Sequence, residues 1–526
     1  MKRLFSPDEL HFAQAVGRIS ASNHFLPERV ELEREALGSA FTESGAAWNE
    51  HISDDNALTH PNIVALLKRS ETLAENIRAR WPKDGRGITR EEMVAYINVA
   101  SFWLYHAYAL QFDALIQESE ERRHAAARKQ ETSRAETAPD NKLTIRPNFY
   151  GAFRNTLEHL LRLPGIAILD EEPAPHLFAY AFQLRRAFHY IHRALAGGSR
   201  PMVRLRAQIW ESIFTRDIGR YRRALYSRMH DYATLITGPS GTGKELVARA
   251  IGLSRYIPFD ARRGEFADDY TGAFFPLNLS ALSPTLIESE LFGHRRGAFT
   301  GALADRAGWL EICPANGAVF LDEIGDVDTA IQVKLLRTLQ SRAFQRLGDT
   351  DTRTFQGKII AATHRDLPAE IRGGRFREDF YYRLCSDVVR TPSLREQLDD
   401  APTELETLAA HIARQLLGDG EAPAFARESV AWIRKRLGAA YAWPGNFREL
   451  EQCMRNLLVR GEYHPASLHA SGGDTGDWNA LLANGSLTAE DLLRRYTRQV
   501  HAQSGRNIEE TARRLDVDRR TVKARL

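Results

Sequence analysis

The stretch that most constrains the fold is LITGPSGTGKE, residues 235–245, where an apolar run ends in a glycine-rich loop and a helical pattern begins. Its three glycines allow backbone N–H groups to curl around phosphate oxygens, and the start of the following helix adds its positive end. Lys244 would reach the β- and γ-phosphates of a nucleotide. A glycine-rich turn without a ligand is the alternative, but the strand–loop–helix context favours phosphate binding. We therefore predict an ATP-binding loop made of Gly238, Pro239, Ser240, Gly241, Thr242, Gly243, Lys244 and Glu245.

Short apolar runs alternate with helical segments from about residue 205. The three clearest runs are ATLITG, GAVFLDE and GKIIAATH. Apolar strands that alternate with helices predict a parallel sheet covered by helices on both faces. The sequence therefore predicts an α/β core in this part of the chain.

An acidic pair, Asp322 and Glu323, follows the second of these strands. Ligands bind at the carboxyl ends of the strands in open α/β sheets. Asp322 can hold Mg²⁺, and Glu323 can orient and deprotonate an attacking water. Alone, such a pair would be a solvated turn, but after a phosphate-binding loop it predicts ATP hydrolysis with Mg²⁺ as cofactor.

Polar side chains also end the third strand, where Thr363 and His364 could touch the γ-phosphate or its water. Arg377 and Arg383 follow in FREDFYYRL. Arginines near a nucleotide stabilise the charge on the transferring phosphoryl group, either from the same subunit or from a neighbour. Taken singly, each arginine is more typical of a surface ion pair.

The stretch GHRRGAFTGA, residues 293–302, places Phe299 and Thr300 between two glycines. Glycines give a loop the freedom to swing while it presents an apolar side chain. The alternative is an ordinary surface turn. The pattern therefore raises the question of which partner the loop would contact.

The last twenty residues, NIEETARRLDVDRRTVKARL, have apolar residues at the spacing of two short packed helices. Asp516 stands at the turn, and Asp tolerates a left-handed backbone. This pattern predicts a helix-turn-helix. The second helix would expose five candidate DNA-binding residues, Arg519, Arg520, Thr521, Lys523 and Arg525. A solvated basic helix is the alternative; the formal net charge of the whole chain is only +3, so any basic surface is local.

Taken in order, these pieces resemble the AAA+ ATPases, and more narrowly the bacterial enhancer-binding proteins that activate sigma-54 RNA polymerase. The resemblance covers about residues 205–460 and the last 40, and LNLSALSPTLIESELFGHRRGAFTGA, PSLREQ and WPGNFREL carry it. The signature GAFTGA loop is intact. The resemblance implies that this loop contacts the sigma factor through Gly297, Ala298, Phe299, Thr300, Gly301 and Ala302.

The resemblance also implies roles for single residues. Asn278 would act as a switch that restrains Glu323 until the nucleotide has bound and the ring has assembled. Arg377 and Arg383 would be fingers that reach into the site of the next subunit. Arg448 would be the lid arginine on the γ-phosphate.

Three positions near the site bear on this likeness. Glu245 after the loop lysine agrees with the family. His364 stands where the family usually has Asn, so protonation of its imidazole could make hydrolysis sensitive to pH. Pro239 stands where the family usually has Glu, and we attach no consequence to it.

The function implied is a transcriptional activator that binds double-stranded DNA upstream of promoters. A ring of AAA+ domains, expected to be a hexamer, would hydrolyse MgATP and remodel the sigma-54 RNA polymerase holoenzyme. One alternative is an AAA+ remodeller of another substrate, such as a helicase loader or unfoldase, but those branches lack GAFTGA. Another is a DNA-binding switch without hydrolysis, against which Glu323 and the finger arginines argue.

A chain of 526 residues is too long for one core. We expect a multidomain protein with a helical N-terminal region, an α/β ATPase core with a helical lid, and a C-terminal Fis-type helix-turn-helix. The predicted segments are a helical regulatory region at 1–204 with a linker or solvated helix end near 117–142, the ATPase subdomain at 205–395, the lid at 396–460, a linker at 461–486 and the DNA-binding domain at 487–526. The aromatic run HLFAYAFQLRRAFHYIHRAL in the first segment would either pack a core or line a ligand pocket.

The sequence also bears on the compartment. MKRLFSPDEL has no signal-peptide pattern, and no run of 18 uncharged apolar residues predicts a membrane helix. The three cysteines lie far apart, which suits a reducing compartment and not a disulfide framework. We expect a cytoplasmic protein without a membrane partner.

Overall fold

The computed structural model describes residues 3–43, 60–132, 144–465 and 488–526. The chain divides into two compact units, Met1–Val459 and Arg460–Leu526. Each unit is described by itself.

The described residues up to Phe214 form helices and one short 3₁₀ turn, as predicted. Helix α1 shows why these segments start where they do: Ser6 Oγ accepts from Glu9 N at 3.3 Å, and the Glu9 carboxylate accepts from Ser6 N at 2.8 Å. The helices are α1 Pro7–Ala21, α2 Glu28–Leu37, α3 Pro61–Arg80, α4 Arg90–Ala107, α5 Ala109–Thr132, α6 Tyr150–Leu161, α7 Ile168–Glu171, α8 Ala174–Ala194 and α9 Arg200–Phe214.

Helix α5 extends into the segment that we predicted to be a linker or solvated helix end. Its first half is anchored by buried Phe112 and Ile116, so the charged residues that follow continue an existing helix. The predicted segment near 117–142 is therefore helical as far as Thr132. Its remainder lies outside the described residues.

An aromatic core joins the helical region to the rest of the first unit. Phe178 and Phe182 on α8 are buried completely. The Phe178 ring lies 4.9 Å from the ring of Phe259, and the Phe182 ring 4.6 Å from that of Phe266. The last two residues belong to the hairpin of β2 Phe259–Asp260 and β3 Glu265–Phe266, so the helical region packs directly on the α/β part.

A five-stranded parallel sheet forms the centre of the α/β part. Its strands stand in the order β11-β1-β10-β7-β4. The apolar runs picked out in the sequence form its interior, with every residue of the sequence KIIAAT buried. The strands are β1 Thr234–Thr237, β4 Phe274–Asn278, β7 Ala318–Asp322, β10 Lys358–Thr363 and β11 Asp387–Arg390.

Helices cover both faces of this sheet, which confirms the prediction. Leu235 and Val319 pack into one core, whereas Ile236 and Phe320 point into the other. The helices of this part are α10 Ile218–Arg220, α11 Lys244–Leu253, α12 Pro284–Phe292, α13 Trp309–Ile312, α14 Thr329–Ser341, α15 Leu367–Arg372 and α16 Glu378–Leu384. Two further hairpins pair β5 Gly293–His294 with β6 Arg306–Ala307, and β8 Ala343–Phe344 with β9 Arg353–Thr354.

Three helical segments follow the sheet: α17 Leu394–Asp400, α18 Glu404–Arg436 and α19 Asn446–Arg460. Segment α18 is two helices broken at Gly418, which has φ 71° and ψ −177°. The Glu404 side chain accepts hydrogen bonds from the backbone N–H groups of Gly198, at 2.8 Å, and Ser199. Because Ser199 is the N-cap of α9, the start of α18 is tied to the start of α9.

The second unit contains α20 Ala489–Gln503, α21 Ile508–Leu515 and α22 Arg519–Arg525. Asn507 caps α21 and Asp518 caps α22. Asp516, between them, is left-handed with φ 52°, as predicted. Most of the predicted linker at 461–486 lies outside the described residues.

The described ranges contain no helix that is both long and apolar enough to cross a membrane.

Candidate nucleotide-hydrolysis site

The carboxyl ends of four parallel strands bring the predicted site residues to one sheet edge. The register pairs Thr237 at the end of β1 with Thr363 at the end of β10. It also pairs Asn278 at the end of β4 with Asp322 at the end of β7. This edge is where open α/β sheets bind ligands.

The phosphate-binding loop requires glycine for two reasons: its backbone conformation and the lack of space for a side chain. Gly238, Gly241 and Gly243 have φ values of 149°, 77° and 86°, which disfavour other residues. A Cβ at Gly238 would overlap the Thr391 side chain, and one at Gly241 would overlap the carbonyl of Gly445. The loop is therefore packed closely between β11 and the segment before α19.

Lys244 lies at the first position of α11 and is buried. Its Nζ donates to the carbonyl oxygens of Gly238, at 3.1 Å, and Pro239, at 3.3 Å. Burial lowers the pKa of Lys244, and the carboxylates of Glu323 and Asp322 oppose that effect. The cation therefore lies between the loop and the acidic pair, where it can neutralise phosphate charge.

The remaining loop residues serve different purposes. Thr242 Oγ1 donates to the Pro239 carbonyl at 2.8 Å and lies 2.7 Å from Thr391 Oγ1. Ser240 and Glu245 are exposed. The side chain of Thr242 thus stabilises the loop, whereas those of Ser240 and Glu245 face solvent.

The acidic pair has two distinct environments. Burial, followed by the neighbouring charge of Glu323, raises the pKa of Asp322 above its usual value. Glu323 is left-handed with φ 57° and ψ 48°, and its N–H donates to Asp322 Oδ1 at 3.1 Å. This turn separates the directions of the two carboxylates.

His364 holds the Glu323 carboxylate. Its Nδ1 lies 2.7 Å from Glu323 Oε2, and its backbone N–H donates to the same oxygen at 3.3 Å. Because a carboxylate only accepts, Nδ1 carries the proton. Thr363 is buried beside it, and Thr363 Oγ1 accepts from Arg365 N at 3.1 Å.

Asn278 does not hydrogen-bond to Glu323 in this structure. Its Oδ1 accepts from the backbone N–H of Ser280 at 3.0 Å and from Ser280 Oγ at 2.8 Å. Asn278 thereby caps the short turn that follows β4. Its role as a switch stays a prediction.

Arg377 and Arg383 are both exposed. Arg377 forms an ion pair with Asp379 at 2.7 Å. In the described part of the chain, neither arginine bonds to the phosphate-binding loop or to the acidic pair.

The first turn of α19 contacts the loop directly, next to exposed Arg448. Phe447 N donates to the Gly241 carbonyl at 3.1 Å, and Asn446 Nδ2 donates to that of Ser240 at 2.9 Å. The positive charge of Arg448 contributes to the lowered pKa of Lys244, so the arginine lies near the phosphate position. Beside them, the Glu449 carboxylate accepts from Gly445 N at 2.8 Å.

The GAFTGA loop closes on itself. Gly297 N donates to the Ala302 carbonyl at 2.9 Å, and Gly297 and Gly301 have φ values of 80° and 101°. Phe299 is half-buried, with its ring 5.0 Å from that of His294, and Thr300 is exposed. Leu303 directly follows the loop and is 87% exposed, so this large apolar side chain is more accessible to a partner than Phe299.

The five predicted DNA-binding residues belong to α22. Arg519, Arg520 and Lys523 are exposed, while Thr521 and Arg525 are half-buried. Arg519 pairs with Glu509 at 2.8 Å. Buried Val522 points in the opposite direction and packs the helix onto its unit.

Thr391 is a contact that the sequence did not reveal. It follows β11, its N–H donates to the Thr237 carbonyl at 2.8 Å, and its side chain fills the space beside Gly238. No motif marks it, because the contact arises only when β11 pairs with β1.

Comparison with known proteins places these features in a family context. Residues 217–389 match the family model described as Sigma-54 interaction domain. The chain is 44% identical over 228 residues to the Nif-specific regulatory protein of Azotobacter vinelandii, covering 43% of this chain and 40% of that relative. It is 38% identical over 302 residues to the transcriptional regulatory protein ZraR of Escherichia coli (strain K12), covering 56% of this chain and 62% of ZraR.

A solved structure, NtrX from Brucella abortus in complex with ADP, is 25% identical and covers 72% of this chain and 80% of that chain. Its TM-score is 0.39, and no argument rests on so loose a superposition. The chain spans 40% and 62% of the length of the two curated relatives. The resemblance to sigma-54-dependent enhancer-binding proteins, predicted from the GAFTGA segment, is confirmed by the family match and these relatives.

Proposed function

We propose that this chain, whose residues 217–389 match the Sigma-54 interaction domain, is an ATP-hydrolysing activator of transcription from sigma-54 promoters. The observation that carries the proposal is the self-closed loop at 297–302, with Thr300 exposed, on the same α/β core as a phosphate-binding loop and an acidic pair. A hydrolysis site and a partner-contacting loop on one core are what coupling ATP turnover to remodelling requires.

The nucleotide chemistry follows from the sheet edge. Lys244 would move from the loop carbonyls to the β- and γ-phosphates, where its charge is neutralised more completely. Glu323 would orient the attacking water and accept its proton. His364 donates to Glu323 and so fixes the direction of that carboxylate.

Asp322 is the side chain that we assign to Mg²⁺. Its pKa is raised by burial and by the charge of Glu323, so a cation beside the pair would relieve the unfavourable proximity of two carboxylates. When bound, Mg²⁺ neutralises phosphate charge during hydrolysis. The donor set of carboxylate and phosphate oxygens fits this cation.

Two sets of arginines complete the proposed site. Arg448 stands beside the loop and near Lys244, so it would reach the γ-phosphate of its own nucleotide. Arg377 and Arg383 are exposed and, among the described residues, form no bond to the loop or the acidic pair, which suits fingers that serve a neighbouring subunit. We therefore propose a ring, with a hexamer as the expected size.

The GAFTGA loop would transmit the movements of the hydrolysis cycle to sigma-54 polymerase. Its base is attached to the core through His294, whose Nδ1 lies 2.8 Å from Ser289 Oγ on α12. Phe299 packs on His294, so a change in the position of α12 would move the loop tip. Thr300 and Leu303 are then the exposed groups available to the partner.

The second unit would place the protein on DNA. Helices α21 and α22, joined at left-handed Asp516, have the form of a helix-turn-helix. Arg520 and Lys523 are exposed on α22. We propose that α22 enters the major groove of double-stranded DNA upstream of the promoter.

Thr300→Ala tests the coupling. Because Thr300 is exposed, the substitution should leave folding and the ATPase rate nearly unchanged. It should abolish the complex with sigma-54 that forms in ADP–aluminium fluoride, and it should abolish promoter opening. Thr350→Ala, at another exposed threonine, is the matched control.

If Thr300→Ala still traps sigma-54 and activates transcription, the loop is not the contact. The better interpretation would then be an AAA+ remodeller of another substrate.

A further inference from the structure

A cavity of about 890 Å³ opens in the N-terminal helical region. Helices α1, α4, α6 and α8 line it, together with the segment Thr215–Leu225 that leads into β1. This volume is in the range of small-molecule binding sites. The proposed hydrolysis reaction makes no use of it.

One face of α8 lines the cavity. Tyr180, Leu184 and Phe188 lie four residues apart, which places them on the same side of the helix. All three remain partly accessible, whereas Phe178 and Phe182 are buried on another face. The two interpretations of this aromatic run, core packing and a pocket lining, therefore both hold, on different faces of α8.

Three polar side chains face the cavity with unused hydrogen-bonding capacity. His106 Nδ1 lies 2.8 Å from the Phe102 carbonyl and must donate to it, so its Nε2 keeps a free lone pair. His24 contacts the rings of Phe188, at 5.2 Å, and Trp210, at 5.1 Å. Within the described ranges, neither the His24 ring nor the Tyr180 hydroxyl has a hydrogen-bond partner.

These groups are uncharged near neutral pH. Burial, reinforced by the positive charge of Arg29, places the pKa of His24 well below its ordinary value. Burial likewise lowers the pKa of His106 to about 4 and raises that of the Tyr180 hydroxyl. The cavity wall thus offers neutral donors and acceptors on an apolar surface.

The two half-buried arginines of the wall are paired with carboxylates, whereas Arg216, Arg220 and Arg223 also line the cavity but are exposed to solvent. Arg29 Nε lies 2.7 Å from Glu33 Oε1, and Arg222 Nε lies 2.7 Å from Glu172 Oε2. An anionic ligand would have to compete with these carboxylates. The half-buried part of the wall therefore favours an uncharged ligand.

The opposite side of α8 holds the end of the phosphate-loop helix. Gln183 Nε2 donates to the Ser254 carbonyl at 2.9 Å, and Arg186 donates to those of Leu253, at 2.8 Å, and Arg255, at 2.6 Å. Helix α11 begins at Lys244 and ends at Leu253. Helix α8 therefore separates the cavity from the helix that positions the nucleotide lysine.

We propose that this cavity binds an uncharged, largely apolar small molecule with a hydroxyl or N–H donor, and that its occupancy changes ATP turnover through α8. The donor would bond to His106 Nε2 or to the free acceptor of His24, and the body would pack on Leu184 and Phe188. Only the effect on turnover rests on the proposed ATPase function, because binding itself requires the cavity alone.

The first experiment measures binding of 2-naphthol to the full-length protein by its own fluorescence. We expect saturable binding of one molecule per chain. Leu184→Trp and, independently, Ser101→Leu should fill the cavity and reduce affinity at least tenfold. Leu110→Trp, at a leucine 69% exposed on α5, is the matched control and should bind normally.

The second experiment separates hydrogen bonding from apolar packing. His106→Leu should weaken 2-naphthol about three- to tenfold, the value of one lost hydrogen bond, and should leave naphthalene binding unchanged. Two results would overturn the site: no saturable binding in the wild type, or binding that neither cavity-filling variant weakens.

The third experiment tests coupling. Lys244→Ala should bind 2-naphthol normally although it hydrolyses no ATP. Binding to the cavity can therefore be tested separately from ATP hydrolysis. In the wild type, saturating 2-naphthol should change the ATPase rate at least twofold, and Leu184→Trp should remove that response. A saturated site without any change in rate would overturn the coupling through α8.

Discussion

Glu323 is bound by His364 and not by Asn278: the Nδ1–Oε2 distance is 2.7 Å, while the Asn278 side chain is engaged with Ser280. His364, the residue that follows β10, therefore controls the direction of the proposed catalytic carboxylate. The sequence indicates that His364 replaces the usual asparagine and could touch the γ-phosphate or its water, but it does not indicate the contact with Glu323.

His364→Ala should lower kcat for ATP about tenfold and leave KM for ATP nearly unchanged, because Glu323 loses its side-chain partner but the phosphate contacts remain. His364→Asn should retain most of the rate, since an amide can donate to the same oxygen. Steady-state ATPase kinetics measure both values. An unchanged kcat in His364→Ala would contradict the positioning role.

Glu323→Gln should bind ATP with near-normal affinity and hydrolyse it about 10²–10⁴-fold more slowly, because an amide cannot accept the proton of the attacking water. Nucleotide affinity by calorimetry and single-turnover rates give the two measurements. Glu428→Gln, at an exposed carboxylate on α18, is the control and should retain activity. Turnover near the wild-type rate in Glu323→Gln would remove Glu323 as the base.

Lys244→Ala and Arg377→Ala should each be inactive alone, yet an equimolar mixture should regain part of the ATPase activity. In mixed rings, some sites would combine an intact Lys244 with an intact Arg377 from a neighbour. Arg372→Ala, at another exposed arginine, should retain activity by itself. Full activity in a demonstrated monomer would disprove the shared site.

Arg520→Ala should weaken DNA binding and spare ATP turnover. If Arg520 contacts a phosphate, the loss should be similar on all sequences, and the salt dependence of log affinity should decrease by about one. Arg513→Ala is the matched control, because that arginine is paired with Glu510 on α21 at 2.6 Å. Unchanged affinity in Arg520→Ala would mean that α22 does not face the groove.

Lys358 gives a prediction for the dependence of stability on pH. It is buried in β10, where burial lowers its pKa to about 8 from 10.5 in the unfolded chain. Between these two values the unfolded state binds more protons, so the contribution of Lys358 to the free energy of unfolding rises as the pH increases. Its unfavourable effect is fully present below about pH 8.

The Tm of Lys358→Met relative to wild type should therefore be highest at pH 7 and should decrease toward pH 10. Thermal unfolding of both proteins across this range measures the difference, and the mutant–wild-type comparison removes the other alkaline groups. A difference that does not vary with pH would show that Lys358 is not held at a lowered pKa.

Much of the α/β core could be predicted, because its determinants are local. The apolar runs before Gly238 and Asp322 form strands, and the left-handed backbone at Asp516 follows from its turn position. The contacts of Thr391 and Asn446 with the loop could not be predicted, because each joins residues brought together only by the folded sheet.

The GAFTGA loop illustrates the same limit. From its composition, Phe299 was expected to be presented to a partner. In the structure the Phe299 ring is half-buried against His294 and Leu303 is exposed, while contact of Phe299 with a partner stays a prediction. Glycine spacing predicts freedom of the backbone, but the side-chain direction depends on the neighbouring hairpin.

The two faces of α8 have a thermodynamic consequence. Its cavity face carries Tyr180 and Leu184, and its other face binds the end of α11 through Gln183 and Arg186. If a molecule in the cavity changes the affinity for ATP by some factor, ATP must change the affinity for that molecule by the same factor. The concentration of ATP would then help to set the ligand concentration at which the cavity fills.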